Sequence, residues 1–63
     1  MEKKTIKLWR LTRGETQKEF AAHVGMKHLT YSAKERGARK WLATEIVAIA
    51  VYLGVSIENQ IDY

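Results

Sequence analysis

Apolar residues recur at three- and four-residue spacing through the chain, and the breaks between these runs fall at Gly14, Gly25, Gly37 and Gly54. That pattern predicts short amphipathic helices, each closed by a glycine. Residues 3–13, KKTIKLWRLTR, set Ile6, Trp9, Arg10 and Arg13 along one stripe of a first helix. An Arg on the buried side needs a partner, because an unpaired buried charge is very costly, and Glu35 is the natural candidate. Leu8 and Leu11 lie off the stripe, where they either fill space left by Glu15 or stay partly exposed.

A second helix opens at Thr16-Gln17-Lys18-Glu19, a capping box in which the Thr16 hydroxyl accepts an early backbone N–H and Glu19 reaches back to Thr16. Phe20, Ala21 and Val24 then share one face, and Gly25 follows where a left-handed residue ends the helix at about Val24. Only Gly25, Met26 and Lys27 separate it from HLTYSAKERG, a third helix over about 28–36 stopped by Gly37. So short a turn makes the two helices cross steeply. In a DNA-binding helix-turn-helix, here about 16–36, that crossing lets one helix brace on the backbone while the next enters the major groove. Tyr31 is best placed to point inward, which leaves Leu29 on the outer face.

Gly37-Ala38-Arg39-Lys40 is a flexible break bearing two cations, with Arg36 just before it, and can reach phosphates beside a groove-bound helix. Residues 41–53, WLATEIVAIAVYL, give a fourth helix with Ile46, Ile49, Ala50 and Leu53 inward and Thr44 as candidate cap. Its apolar face is wider than one core needs. Val47, Val51 and Tyr52 broaden it, either as a second packing surface for the first helix or as a dimer contact, and Trp41, Val47, Val51 and, beyond Gly54, Ile57 form the candidate dimer surface. Ser56 caps a short fifth helix, Ile57 to Ile61.

Arg10, Gly14, Gln17, Phe20-Ala21, Gly25, Thr30, Glu35 and Gly37, followed by Leu53-Gly54-Val55-Ser56, resemble the Cro/CI (XRE-type) helix-turn-helix family in their ordered spacing. The resemblance implies an all-α, compact five-helix bundle of the lambda-repressor-like type, with residues 1–63 as a single DNA-binding domain. It also implies that Gln17 contacts phosphate, that Lys27, His28, Leu29, Ser32 and Ala33 face the groove, and that Arg10 pairs with Glu35. Some positions depart from the family pattern. Lys27 stands where a Ser or Thr usually caps the recognition helix, a loss of roughly 1 kcal/mol. Lys34 and Glu15 occupy positions that are usually apolar, and Trp41 one where Pro is common, so the core must be repacked around them.

Composition narrows the function further. A chain of 63 residues buries only about 60% of the surface its unfolded form exposes, which leaves little room for a deep catalytic cleft. It contains no Cys, so neither disulfides nor thiolate metal sites contribute. Nothing approaches the roughly 18 consecutive apolar residues of a membrane span, and Met1-Glu2-Lys3-Lys4 runs into an amphipathic helix rather than a signal peptide. All 11 Lys and Arg lie in residues 1–40, which carry a net +7, while residues 41–63 carry −3. A basic part that coincides with the helix-turn-helix fits a polyanion, although a merely solvated face has the same composition.

Glu19, His23 and His28 match no standard metal-ligand spacing. His23 reads as a solvent-facing residue paired loosely with Glu19, and His28 as a polar DNA contact or as nothing at all. No catalytic constellation or glycine-rich phosphate loop is present, and no cofactor is expected. Trp9 and Trp41 are base-stacking platforms or core residues, and helical spacing favours core for both.

The sequence thus points to a sequence-specific regulator of double-stranded DNA, cytoplasmic and nucleoid-associated, of the repressor kind that small Cro-like or phage-repressor proteins represent. His28, Leu29, Ser32 and Ala33 are expected at bases, and Gln17, Lys27, Arg36, Arg39 and Lys40 at phosphates. Weak homodimerisation, firmer on DNA, accompanies this reading. The alternative is an antitoxin-like or adaptor module that binds another protein through helices four and five.

Overall fold

The computed structural model describes residues 3–63; Met1 and Glu2, the start of the run that leads into the first helix, lie outside the described residues. Five helices follow in order: α1 (Ile6–Thr12), α2 (Gln17–His23), α3 (His28–Glu35), α4 (Ala43–Leu53) and α5 (Ile57–Gln60). The architecture is all-α and compact. Two residues at each end of the helical set, β1 (Lys4–Thr5) and β2 (Ile61–Asp62), pair in parallel with Lys4 opposite Ile61 and Thr5 opposite Asp62.

That pairing shortens α1 from the span 3–13 that its periodicity predicts. Thr5 leaves the strand in extended geometry and caps the helix, its hydroxyl accepting from Leu8 N–H at 3.2 Å. The Trp9 indole N–H donates to the Gln60 carbonyl at 2.8 Å, which fastens the far end of the chain to α1. Ile61 is consequently buried in β2 rather than ending α5. Arg13 does not continue the inward stripe; it is exposed, bonded to Glu15 and seated over the Tyr52 ring. Leu8 and Leu11 are about half exposed, at 50% and 52%.

Ile6, Phe20, Ala21, Tyr31, Ile46, Ile49, Ala50 and Ile61 make the core, drawn from every helix but α5 together with β2. Trp9, Val24, Met26, Trp41, Leu53 and Val55 close around it. Both tryptophans therefore pack on the core side. The cap of α4 falls at Leu42 instead of Thr44, and Glu45 supplies the bond by accepting the Leu42 N–H at 2.8 Å. Ser56 caps α5 through Asn59 N–H. Among the described residues, no helix is long and apolar enough to cross a membrane.

Candidate nucleic-acid interface

The α2–turn–α3 unit is fixed at both ends by its own side chains. Thr16 Oγ1 accepts from Glu19 N–H at 3.1 Å while Glu19 Oε1 accepts from Thr16 N–H at 2.9 Å, so the capping box forms in full. Gly25 takes φ +76°, and a Cβ there would meet no atom within 4 Å; glycine is needed for backbone conformation, not for space. Across the turn the Phe20 and Tyr31 rings pack with centroids 5.4 Å apart, and Trp41 meets Tyr31 edge-on at 5.6 Å. Tyr31 is fully buried and fixes which side of α3 faces in.

Two ionic contacts hold the C-terminal end of α3. Arg10 Nε and Nη2 donate to Glu35 Oε2 and Oε1 at 2.9 and 3.0 Å, a bidentate pair, and Arg10 Nη1 donates to the Glu15 carbonyl at 2.8 Å. Burial pushes the Glu35 carboxyl up, but the hydrogen bonds from Arg10 and Gln17 and the charge of Arg10 outweigh it and hold the group below its ordinary value. Beside this pair the Tyr31 hydroxyl is buried without a hydrogen bond of acceptable geometry, and burial first, then Glu35, raise its pKa. On the next position, Lys34 Nζ reaches both carboxylate oxygens of Glu45 on α4. The sequence contains the signal for this second pair: Lys34 follows Tyr31 by three residues and so shares its inward face, and Glu45 is the nearest acid after the loop.

With Tyr31 and Lys34 turned inward, the opposite side of α3 is open. Leu29 is 82% exposed, His28 and Lys27 are exposed, and Ser32 and Ala33 are partly buried at its edge. Lys27 precedes the helix in extended geometry with no side-chain cap bond. Arg36, Arg39 and Lys40 are exposed on the following loop. Among the described residues, none of Lys27, Arg36, Arg39 and Lys40 is held in a salt bridge. Gln17 is partly buried, and its Nε2 donates one N–H to Glu35 Oε1 at 2.9 Å, which leaves the second N–H for another acceptor.

A separate polar cluster sits where α2 meets α4, and it corrects the expected His23–Glu19 contact. Glu19 is committed to its cap, and His23 Nδ1 lies 2.6 Å from Glu15 Oε1 and 2.9 Å from Tyr52 Oη. Glu15 Oε2 accepts from Arg13 Nε at 2.9 Å and from the Tyr52 hydroxyl at 2.8 Å. Burial alone would raise the Glu15 carboxyl, but the hydrogen bonds from Arg13, Tyr52 and His23 outweigh it and lower it. This explains how a carboxylate stands at a position that is usually apolar.

Of the four apolar residues predicted as a contact surface, three lie together. Val47, Val51 and Ile57 line a shallow groove of about 430 Å³ between α4 and α5, floored by Ala50 and Val55 and edged by Ser56 and Glu58. Val51 is 76% exposed and Val47 50%. Trp41 is not brought to the groove, because its ring is engaged by Tyr31.

The helical span and its turn agree with one comparison. A helix-turn-helix family model matches residues 6–59, from the first residue of α1 into α5. The chain belongs to the XRE-type helix-turn-helix family. As an XRE-type protein it is a DNA-binding transcription regulator, and its partner is double-stranded DNA. No curated protein and no solved structure matches it. The family match leaves β1 and β2 outside its limits.

Proposed function

We propose that this XRE-type protein is a sequence-specific repressor of the Cro-like kind that acts on the nucleoid, with α3 in the major groove of its operator. The observation that carries the reading is the outer face of α3: a leucine 82% exposed at the first turn, flanked by four exposed cations that no salt bridge neutralises among the described residues. An aliphatic side chain so open to water has no folding role, whereas a thymine methyl in the major groove offers it an apolar contact. His28 and Ser32 hydrogen-bond base edges and Ala33 lies close to them. Lys27, Arg36, Arg39, Lys40 and the second N–H of Gln17 hold phosphates and fix the register.

The homodimer belongs to the same proposal. The α4–α5 groove supplies its surface, and a protomer 30 Å in its longest extent is of a size to place two recognition helices about 34 Å apart on a palindromic site. The groove also favours a second reading, an adaptor that binds another protein there. An adaptor of that sort shows no salt-dependent retention on DNA.

Fluorescence anisotropy tests the reading on a duplex selected from a random pool and on a random duplex. With four cations at phosphates, log K should fall against log salt with a slope of about −3.6 per protomer, from about −0.9 for each phosphate. Leu29→Ala should relax preference at one base pair by about 1–3 kcal/mol, while Arg39→Ala should weaken both duplexes alike and reduce the slope by about one. A slope near zero, or Arg39→Ala erasing discrimination while Leu29→Ala weakens both duplexes equally, overturns the assignment.

A further inference from the structure

The helix that carries the base-reading residues spans eight residues and has no side-chain cap at its N-terminus, so its orientation depends on what grips its C-terminal half. Successive side chains leave an α-helix about 100° apart. Lys34 and Glu35 therefore depart on neighbouring flanks: Glu35 to Arg10 of α1, and Lys34 to Glu45 of α4. Together with the buried Tyr31 ring they hold α3 against rotation about its own axis.

The second of these links reaches further than the first. Glu45 Oε1 also accepts the N–H of Leu42, at the far end of the loop that bears Arg36, Arg39 and Lys40. At the near end the loop is fastened to α3 itself, since Ala38 and Arg39 N–H both donate to the Ala33 carbonyl, at 2.9 and 3.3 Å. Arg39 lies close enough for its charge to act on Glu45. One carboxylate thus joins the flank of the recognition helix to the end of the loop.

Measured against an apolar pair of the same volume, stability gives no reason to keep these two charges. The Lys34 side chain is only 5% exposed and that of Glu45 16%, and a buried ion pair replaced by apolar side chains of similar volume often leaves a protein equally or more stable. What the pair supplies is direction, because an ammonium held by both oxygens of one carboxylate fixes an angle that an apolar contact leaves free. We propose that the Lys34–Glu45 pair is a positioning device that sets the rotation of α3 relative to residues 36–42, so that base-reading side chains and phosphate-holding cations meet the duplex in one register. The inference rests on the DNA reading proposed above.

The test compares the unaltered protein, Lys34→Met and Glu45→Gln by urea unfolding and by anisotropy on the selected and random duplexes at several salt concentrations. Lys34→Met keeps the length and apolar bulk of the side chain and removes the tether. Its unfolding midpoint should fall, because Glu45 keeps a partly buried charge without its cation, and under conditions where the variant is fully folded its preference for the selected duplex should fall about tenfold, comparable to losing one base contact, while its salt slope on random DNA should not change. Glu45→Gln retains an oxygen for the Leu42 N–H but no charge for Lys34, and should lose the same discrimination. If Lys34→Met folds and discriminates as well as the unaltered protein, the pair is structural only and the proposal fails, whether or not Glu45→Gln folds. If the unaltered protein binds no duplex at low salt, the DNA reading itself has failed.

Discussion

Glu35 accepts from Arg10 and Gln17 with its side chain only 2% exposed, Glu15 accepts from three side chains, and Glu45 is held by Lys34 and the Leu42 N–H. In each, burial raises the carboxyl, yet the hydrogen bonds and neighbouring cations win and the group titrates below its ordinary value of 4.5. The folded state then binds fewer protons than the unfolded one in acid, so the stabilisation is complete above about pH 4.5 and disappears as pH falls through the depressed values. Urea midpoints should be flat from about pH 7 to 5 and drop steadily from about pH 4.5 to 3; a midpoint unchanged over the lower range contradicts these pairings. The Arg10–Glu35 pair was legible in the sequence because an Arg on an inward stripe cannot be left alone. The Glu15 cluster was not, because the residue that completes it, Tyr52, lies 37 positions away and the capping box had already removed Glu19 as the partner of His23. Local periodicity carries no information about such choices.

At the scale of elements, capping residues and glycine stops placed α2 to α5 to within about two residues, since those signals act through backbone groups a few positions away. The start of α1 escaped this rule. Lys4–Thr5 pairs with Ile61–Asp62 across almost the whole chain, a long-range contact that takes the first three residues, less than one turn, from the helix predicted at 3–13 and places Ile61 in the core. On the proposed DNA reading, the N-terminus of α3 is the element boundary where folding and function conflict. Lys27 offers no cap, whereas Ser would accept a helix N–H and add about 1 kcal/mol, which for a domain of this size raises Tm by roughly 4–8 °C. Lys27→Ser should therefore melt higher by about that amount. It should also bind selected and random duplexes more weakly in equal proportion, with the salt slope reduced by about 0.9, because a phosphate contact is lost and no base contact is. Unchanged binding would show that Lys27 only lacks a cap and contacts nothing.

For the whole molecule, charge and apolar surface are segregated along the chain, which on the proposed reading gives its two parts different tasks. Residues 1–40 hold all 11 cations, and residues 41–63 hold none but supply the groove between α4 and α5. The sequence showed this division without its geometry: Val47, Val51 and Ile57 converge, while Trp41 turns to Tyr31 and leaves a surface narrower than four residues suggested. A small groove fits an association that is weak in solution and completed when DNA holds two copies side by side, since the duplex raises the local concentration of one protomer for the next. Val51→Glu separates the two tasks, because Val51 is 76% exposed and far from any residue assigned to phosphate or base in sequence. The variant should keep its free energy of unfolding to within about 0.5 kcal/mol, as exposed substitutions generally do. On a duplex with one half-site it should bind as the unaltered protein does, while on a palindrome it should lose cooperative filling and protect each half-site independently. Footprint titrations on the two duplexes, with stoichiometry from sedimentation, make the comparison. Cooperative filling that survives Val51→Glu places the contact between protomers elsewhere than the groove, and independent filling by the unaltered protein shows that it reads its operator as a monomer.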